Sequence, residues 1–181
     1  MIFPDKYCID LHNYERFPTR TVKIGDVVVG ACNPIRLQSM TNFPTEDINN
    51  SILQAKAIFD AGADFVRIST PRIIDVENLK FIKEKLVADG YKMPLIADVH
   101  FNPKIAEEAA RFVEKVRINP GNYVDKSGRD NKAYSEQEYK LELEKIHDRI
   151  KPLIKICKFY GTAIRVGSNH GSLSARIISK Y

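Results

Sequence analysis

Cysteine is scarce in this chain, and long apolar runs are missing. The three cysteines, Cys8, Cys32 and Cys157, are widely spaced and odd in number, and no CxxC occurs. No metal or redox motif is therefore complete, and three reduced thiols are the plain expectation. No stretch approaches the roughly 20 apolar residues needed to span a bilayer. The opening stretch, MIFPDKYCIDLHNYERFPTR, lacks the apolar core of a signal peptide. A cytoplasmic protein is expected. RNP motifs, zinc fingers and dense Lys/Arg blocks are also missing, as are short repeats and low-complexity tracts.

What remains is an ordinary globular composition. The 181 residues are 44% hydrophobic and 28% charged, enough for one domain with a sizeable core. The net charge is +5 and the pI about 9.0. Nucleic acid could attract such a chain, but its basic residues are spread out and mixed with acids. A small anionic substrate explains the excess as well, because arginine binds phosphate.

The recurring pattern is strand then helix. Five apolar runs read as strands: Pro34–Met40, Asp64–Thr70, Pro94–Val99, Lys115–Asn119 and Thr162–Gly167. Near-continuous apolar character of this kind suits parallel strands covered on both faces. Between them, Glu46–Asp60 places Ile48, Ile52, Leu53, Ala55, Ile58 and Phe59 mostly on one side, with Thr45 as a cap and Gly62 as a stop. Asp75–Asp89 turns Leu79, Ile82 and Leu86 inward and ends at Gly90. Pro103–Val113 starts with proline at a first helical position. Ser135–Phe159 is long, and Pro152 is expected to kink or split it.

Strand–helix alternation implies a parallel α/β sheet. A charged residue recurs in or near the strand ends: Arg67, Asp98, Arg117 and Arg165. In a (β/α)8 barrel all strand C-termini converge on one mouth, where active sites sit. A TIM barrel therefore fits better than an open doubly wound sheet. A full barrel takes about 250 residues. The expectation is a partial barrel of about five strands over residues 34–181, preceded by an N-terminal lead-in over residues 1–33.

The arginines recur in VRIST, VRINPGN and IRVGSNHGS. Three guanidinium groups at one mouth could hold a diphosphate; alternatively, each could sit in a structural ion pair with Asp64, Asp98 or Glu114. The turns Asn119-Pro120-Gly121-Asn122 and Gly167 to Ser172 bring glycine amides that can approach an anion, or are simply turns. Asp98 and His100 share a side if the strand continues. They could position a hydroxyl, move protons or form a metal half-site, although two ligands make a poor metal site. Alternatively, Asp98 pairs with an arginine and His100 is a wall residue. Gln38 to Asn42 could bond a substrate or lead into the next helix. His12 and His147 have no motif around them and read as surface residues.

The strings NPIRLQSMTN, AGADFVRIST, PLIADVHFNP, KVRINPGN and AIRVGSNHGSLS occur in this order. Together with PTRTVKIGDVVVG, they make residues 16–181 resemble the 4-hydroxy-3-methylbut-2-enyl diphosphate synthase family. The long Tyr123–Tyr160 stretch and NHGSLS resemble its three-domain form. That resemblance implies a TIM barrel and a separate [4Fe–4S] domain, working as a homodimer. The reaction is reductive opening of 2-C-methyl-D-erythritol 2,4-cyclodiphosphate with electrons from ferredoxin or flavodoxin. It also implies that Arg67, Arg117 and Arg165 bind the diphosphate and that Asn122 and Asn169 make polar contacts. Asp98 and His100 would orient the substrate or contact its hydroxyls. The cluster ligands of the family, three cysteines and a glutamate, do not match Cys8, Cys32 or Cys157. The chain is thus expected to stop short of the complete enzyme and to be inactive alone. Two other readings fit the motifs: a pteroate-synthase-like barrel and a non-catalytic phosphate-binding barrel fragment.

Overall fold

The computed structural model describes residues 10, 12–13, 16–100, 102–119 and 135–168. Two short strands come first, β1 (Val22–Ile24) and β2 (Val27–Val29), followed by β3 (Gln38–Met40) and α1 (Ile48–Asp60). Then come β4 (Phe65–Ser69), α2 (Ile73–Ala88), β5 (Leu95–Asp98), α3 (Pro103–Ala109), β6 (Lys115–Ile118), α4 (Glu136–Tyr160) and β7 (Ala163–Val166). Strands β3 to β7 form one parallel sheet in chain order. β1 and β2 make a separate antiparallel hairpin.

The two faces of the sheet are built differently. Val66, Ile68, Leu95, Ala97, Val116 and Ile118 lie on one face, buried with Ile52 and Ala55 of α1, Leu79, Ile82 and Leu86 of α2, Ile105 and Ala106 of α3, and Leu153 and Cys157 of α4. The four helices of the described residues therefore cover the same face. A doubly wound sheet puts helices on both faces; sequential strand order with helices on one side is the winding of a barrel. This is a partial TIM barrel. Fully burying each Leu or Ile on the helix side contributes about 2 kcal/mol.

The other, inner face carries Phe65 and Ile96 low on the strands, packed with Ile24 of the hairpin and flanked by Val27, Val29 and Ala163. The hairpin thus seals the lower part of the inner face with apolar side chains. Gly25 makes its turn with φ +59, a backbone region that favours glycine.

Local chemistry sets the helix ends. Asp47 caps α1 by accepting from the Asn50 amide. Thr45 does not cap: Pro44 to Asp47 closes a turn first, and the Thr45 hydroxyl instead donates to the Ser69 carbonyl. Ser135 and Glu138 form a capping box on α4, and Gly161 ends it with φ +72. Leu53, expected inward, is 63% exposed; the buried stripe runs through Ile52 and Ala55. Phe59 is exposed too, edge-on to Tyr91 at 5.9 Å. Pro34 to Leu37 falls outside β3, and Ile35 and Leu37 are exposed just before this edge strand of the sheet. Pro152 does not split α4. It lies on the exposed side, while Leu153 and Cys157 anchor the opposite side in the core, so the lost hydrogen bond falls where water can replace it.

Candidate functional site

Strand alternation sends Arg67 and Ser69 of β4, Asp98 of β5, Arg117 of β6 and Arg165 of β7 to the inner face, with Phe65 and Ile96 lower on β4 and β5. Register then places Asp98 opposite Ser69 and Arg117, and Arg117 opposite Arg165. Ser69, Asp98, Arg117 and Arg165 thus share one level of the sheet, and Arg67 lies one step below it, opposite Ile96.

Asp98 is the hub. It is 2% exposed, and its Oδ2 accepts from Arg67 Nη2 at 2.5 Å. Its Oδ1 accepts from Arg117 Nη1 at 3.3 Å. His100 Nε2 lies 2.9 Å from Asp98 Oδ2 and 3.1 Å from Arg117 Nη1. Both bonds cannot form at once through one nitrogen. A protonated Nε2 donates to Asp98, and a bare Nε2 accepts from Arg117. Burial pushes the Asp98 carboxyl up, but the bonds from His100 and Arg67 outweigh it and hold the group below its usual range. Arg117 Nη2 also donates to the Gly167 carbonyl at 3.0 Å.

The ion-pair alternative is therefore true of Arg67 and Arg117, and still does not use them up. Arg67 Nε is buried without a hydrogen-bond partner, as is the hydroxyl of Thr41, which follows β3. An orphaned buried donor on a guanidinium calls for a ligand or water. Arg165 is exposed and has no ion-pair partner among the described residues. Sequence reading missed Lys115, one level below Arg117 on the same face. Burial first, then the charges of Arg165 and Arg67, push its ammonium down to about 8. Its position two residues before Arg117 was the available signal.

Asn122 and Asn169 lie outside the described residues, as does Cys8. Asn42 ties its loop to α1, its amide and side chain both bonded to Gln54. His12 and His147 are exposed. An iron–sulfur cluster does not fit the donors among the described residues. Cys32 is an exposed loop thiol, and Cys157 is buried in the helix-side core with its thiol pushed up to about 11 by that burial. Among the described residues no group of three His, Cys, Asp or Glu side chains could hold a metal. No helix of the described residues is long and apolar enough to cross a membrane.

Residues 19–181 match the family described as the GcpE TIM-barrel domain. The chain is 54% identical over 175 residues to 4-hydroxy-3-methylbut-2-en-1-yl diphosphate synthase (flavodoxin) of Bacteroides fragilis, covering 96% of this chain and 28% of that protein. The enzyme of the same name from Protochlamydia amoebophila is 43% identical over 177 residues, covering 97% and 27%. The chain thus spans about 28% of the length of the curated relatives it matches. Among solved structures, phospho-2-dehydro-3-deoxyheptonate aldolase of Thermotoga maritima superposes with a TM-score of 0.46 at 17% identity, over 72% of this chain and 42% of that one.

Proposed function

The chain belongs to the GcpE TIM-barrel family, and from that premise we propose that it is the substrate-holding barrel portion of a 4-hydroxy-3-methylbut-2-enyl diphosphate synthase. In the proposed reaction the complete protein reductively opens 2-C-methyl-D-erythritol 2,4-cyclodiphosphate and expels water. The redox chemistry is assigned to a [4Fe–4S] cluster whose ligands lie outside this chain, with flavodoxin or ferredoxin as electron donor. A cytoplasmic homodimer is part of the same reading. So is the division into a lead-in over residues 1–33 and barrel over residues 34–181.

One observation carries the proposal: among the described residues, the inner face has more fixed positive charge than its one carboxylate can neutralise. Arg67 and Arg117 share Asp98, and Arg165 has no acid partner among the described residues. Guanidinium groups stay charged at any working pH and fork onto phosphate oxygens. Arg67, Arg117 and Arg165 bind the diphosphate in this reading, and Asn122 and Asn169 add polar contacts. Asp98 keeps two of the arginines splayed before substrate arrives, so less ordering is left to binding. His100, bonded to either Asp98 or Arg117, orients the group between them and is placed to contact a substrate hydroxyl.

The test is an anaerobic assay of the complete protein that carries this chain, reconstituted with iron and sulfide. It would be given the cyclodiphosphate and a reduced donor. Formation of hydroxymethylbutenyl diphosphate is expected. No product from protein with an intact cluster would return the chain to a phosphate-binding role for another substrate.

A further inference from the structure

Lys115 begins β6 between Ile96 of β5 and Ala163 of β7. Its ammonium lies 5.0 Å from the centre of the Phe65 ring. Phe65 and Ile96 belong to the apolar floor closed by Ile24 of the hairpin. The ammonium therefore sits at the boundary between that floor and the arginine level, held over an aromatic face that favours a cation.

The side chain lacks what a structural lysine normally has. It forms no hydrogen bond or ion pair with a described residue, and the charges that act on it, Arg165 and Arg67, share its sign. Asp98, the carboxylate of this face among the described residues, is committed to Arg67, Arg117 and His100. Below, the hairpin presents Ile24, Val27 and Val29, while its charged Lys23 and Asp26 are exposed. A half-buried ammonium facing like charges is unfavourable unless an anion joins it.

Resting on the anion-site reading above, we propose that Lys115 is a further binding residue of that site, whose ammonium meets the diphosphate from below while the arginines hold it from the strand ends. The linkage follows from the surroundings. Burial and the neighbouring guanidinium groups hold Lys115 at about 8. An incoming diphosphate reverses the local field and favours the charged form. Binding therefore takes up a proton wherever the empty protein has released it, and affinity falls as pH rises through 8.

The experiment is calorimetric titration of the complete protein with inorganic pyrophosphate, from about pH 7 to about pH 10, the range between reference histidine and lysine values. Wild type is compared with Lys115→Met, Lys115→Arg and Arg117→Met. The ligand's own titration is common to all four proteins and cancels in their ratios. Lys115→Met is expected to bind about tenfold more weakly near neutral pH, equivalent to about 1.4 kcal/mol, with the deficit closing at the alkaline end. Lys115→Arg is expected to keep affinity and flatten the alkaline fall. If Lys115→Met matches wild type at every pH while Arg117→Met loses binding, the Lys115 assignment is overturned and the anion site stands. If wild type binds neither pyrophosphate nor the cyclodiphosphate, the anion-site reading itself fails. Should Lys115→Met not fold, Lys115→Arg decides alone: an alkaline fall as steep as that of wild type overturns the proposal.

Discussion

Asp98 Oδ2 lies 2.5 Å from Arg67 Nη2, and the same carboxylate reaches Arg117 on the next strand. One buried acid thus sets the positions of two cations on neighbouring strands. Asp98→Asn keeps the shape and removes the charge, leaving two guanidinium groups facing each other. The expected loss is about 3 kcal/mol, the low end for breaking a buried pair, because both arginines keep some water access. Added pyrophosphate should restore part of the lost melting temperature in Asp98→Asn, by supplying the missing negative charge.

The acid limb of stability tests the same pair. Against the upward push of burial, the bonds from His100 and Arg67 hold the Asp98 carboxyl below the ordinary carboxylate range in the folded chain. Its contribution is therefore fully present above the ordinary, unfolded carboxylate range and is lost as pH falls through the lower range of the folded group. Denaturation curves of wild type and Asp98→Asn should differ by a constant amount from neutral pH down to the ordinary carboxylate range, then converge. A gap that persists in strong acid would assign the stability difference to something other than ionised Asp98.

Gly167 tests the geometry of Arg117 without removing its charge. A Cβ added at Gly167 would overlap Arg117 Nε, and the Gly167 carbonyl is one of the guanidinium's acceptors. Gly167→Ala should push Arg117 off its rotamer, weakening pyrophosphate binding by about 1 kcal/mol. Arg117→Ala should cost more, about 1.5–3 kcal/mol for a lost charge-assisted bond. Equal affinity in all three proteins, measured by calorimetry, would assign Arg117 to structure alone.

Much of this was legible in the sequence. The strand–helix alternation, the glycine stops at Gly62 and Gly90, and the shared side of Asp98 and His100 all follow from local periodicity. What local pattern could not give was context from distant strands. Lys115 reads as an ordinary polar strand start until Phe65 and Arg67 are brought beside it. Thr45 and Asp47 are both capping residues, and only the Pro44 turn decides between them. The hairpin had a usable signal, a Gly-Asp pair between valine-rich runs, but its role as a floor depends on Phe65 and Ile96.

That floor makes the final prediction. Ile24 is 1% exposed, while Val22, on the same β1 strand, is 42% exposed. Ile24→Ala removes apolar contact with both Phe65 and Ile96 and should cost about 3 kcal/mol, as for other buried large-to-small changes. Val22→Ala should stay within about 0.5 kcal/mol, as for surface substitutions. The functional consequence follows from position. Phe65 carries the Lys115 ammonium on its ring, so a loosened floor should lower pyrophosphate affinity in Ile24→Ala under conditions where the protein remains folded. Equal melts for the two variants would make the hairpin an appendage, and unchanged affinity in a destabilised Ile24→Ala would separate the floor from the charged level above it.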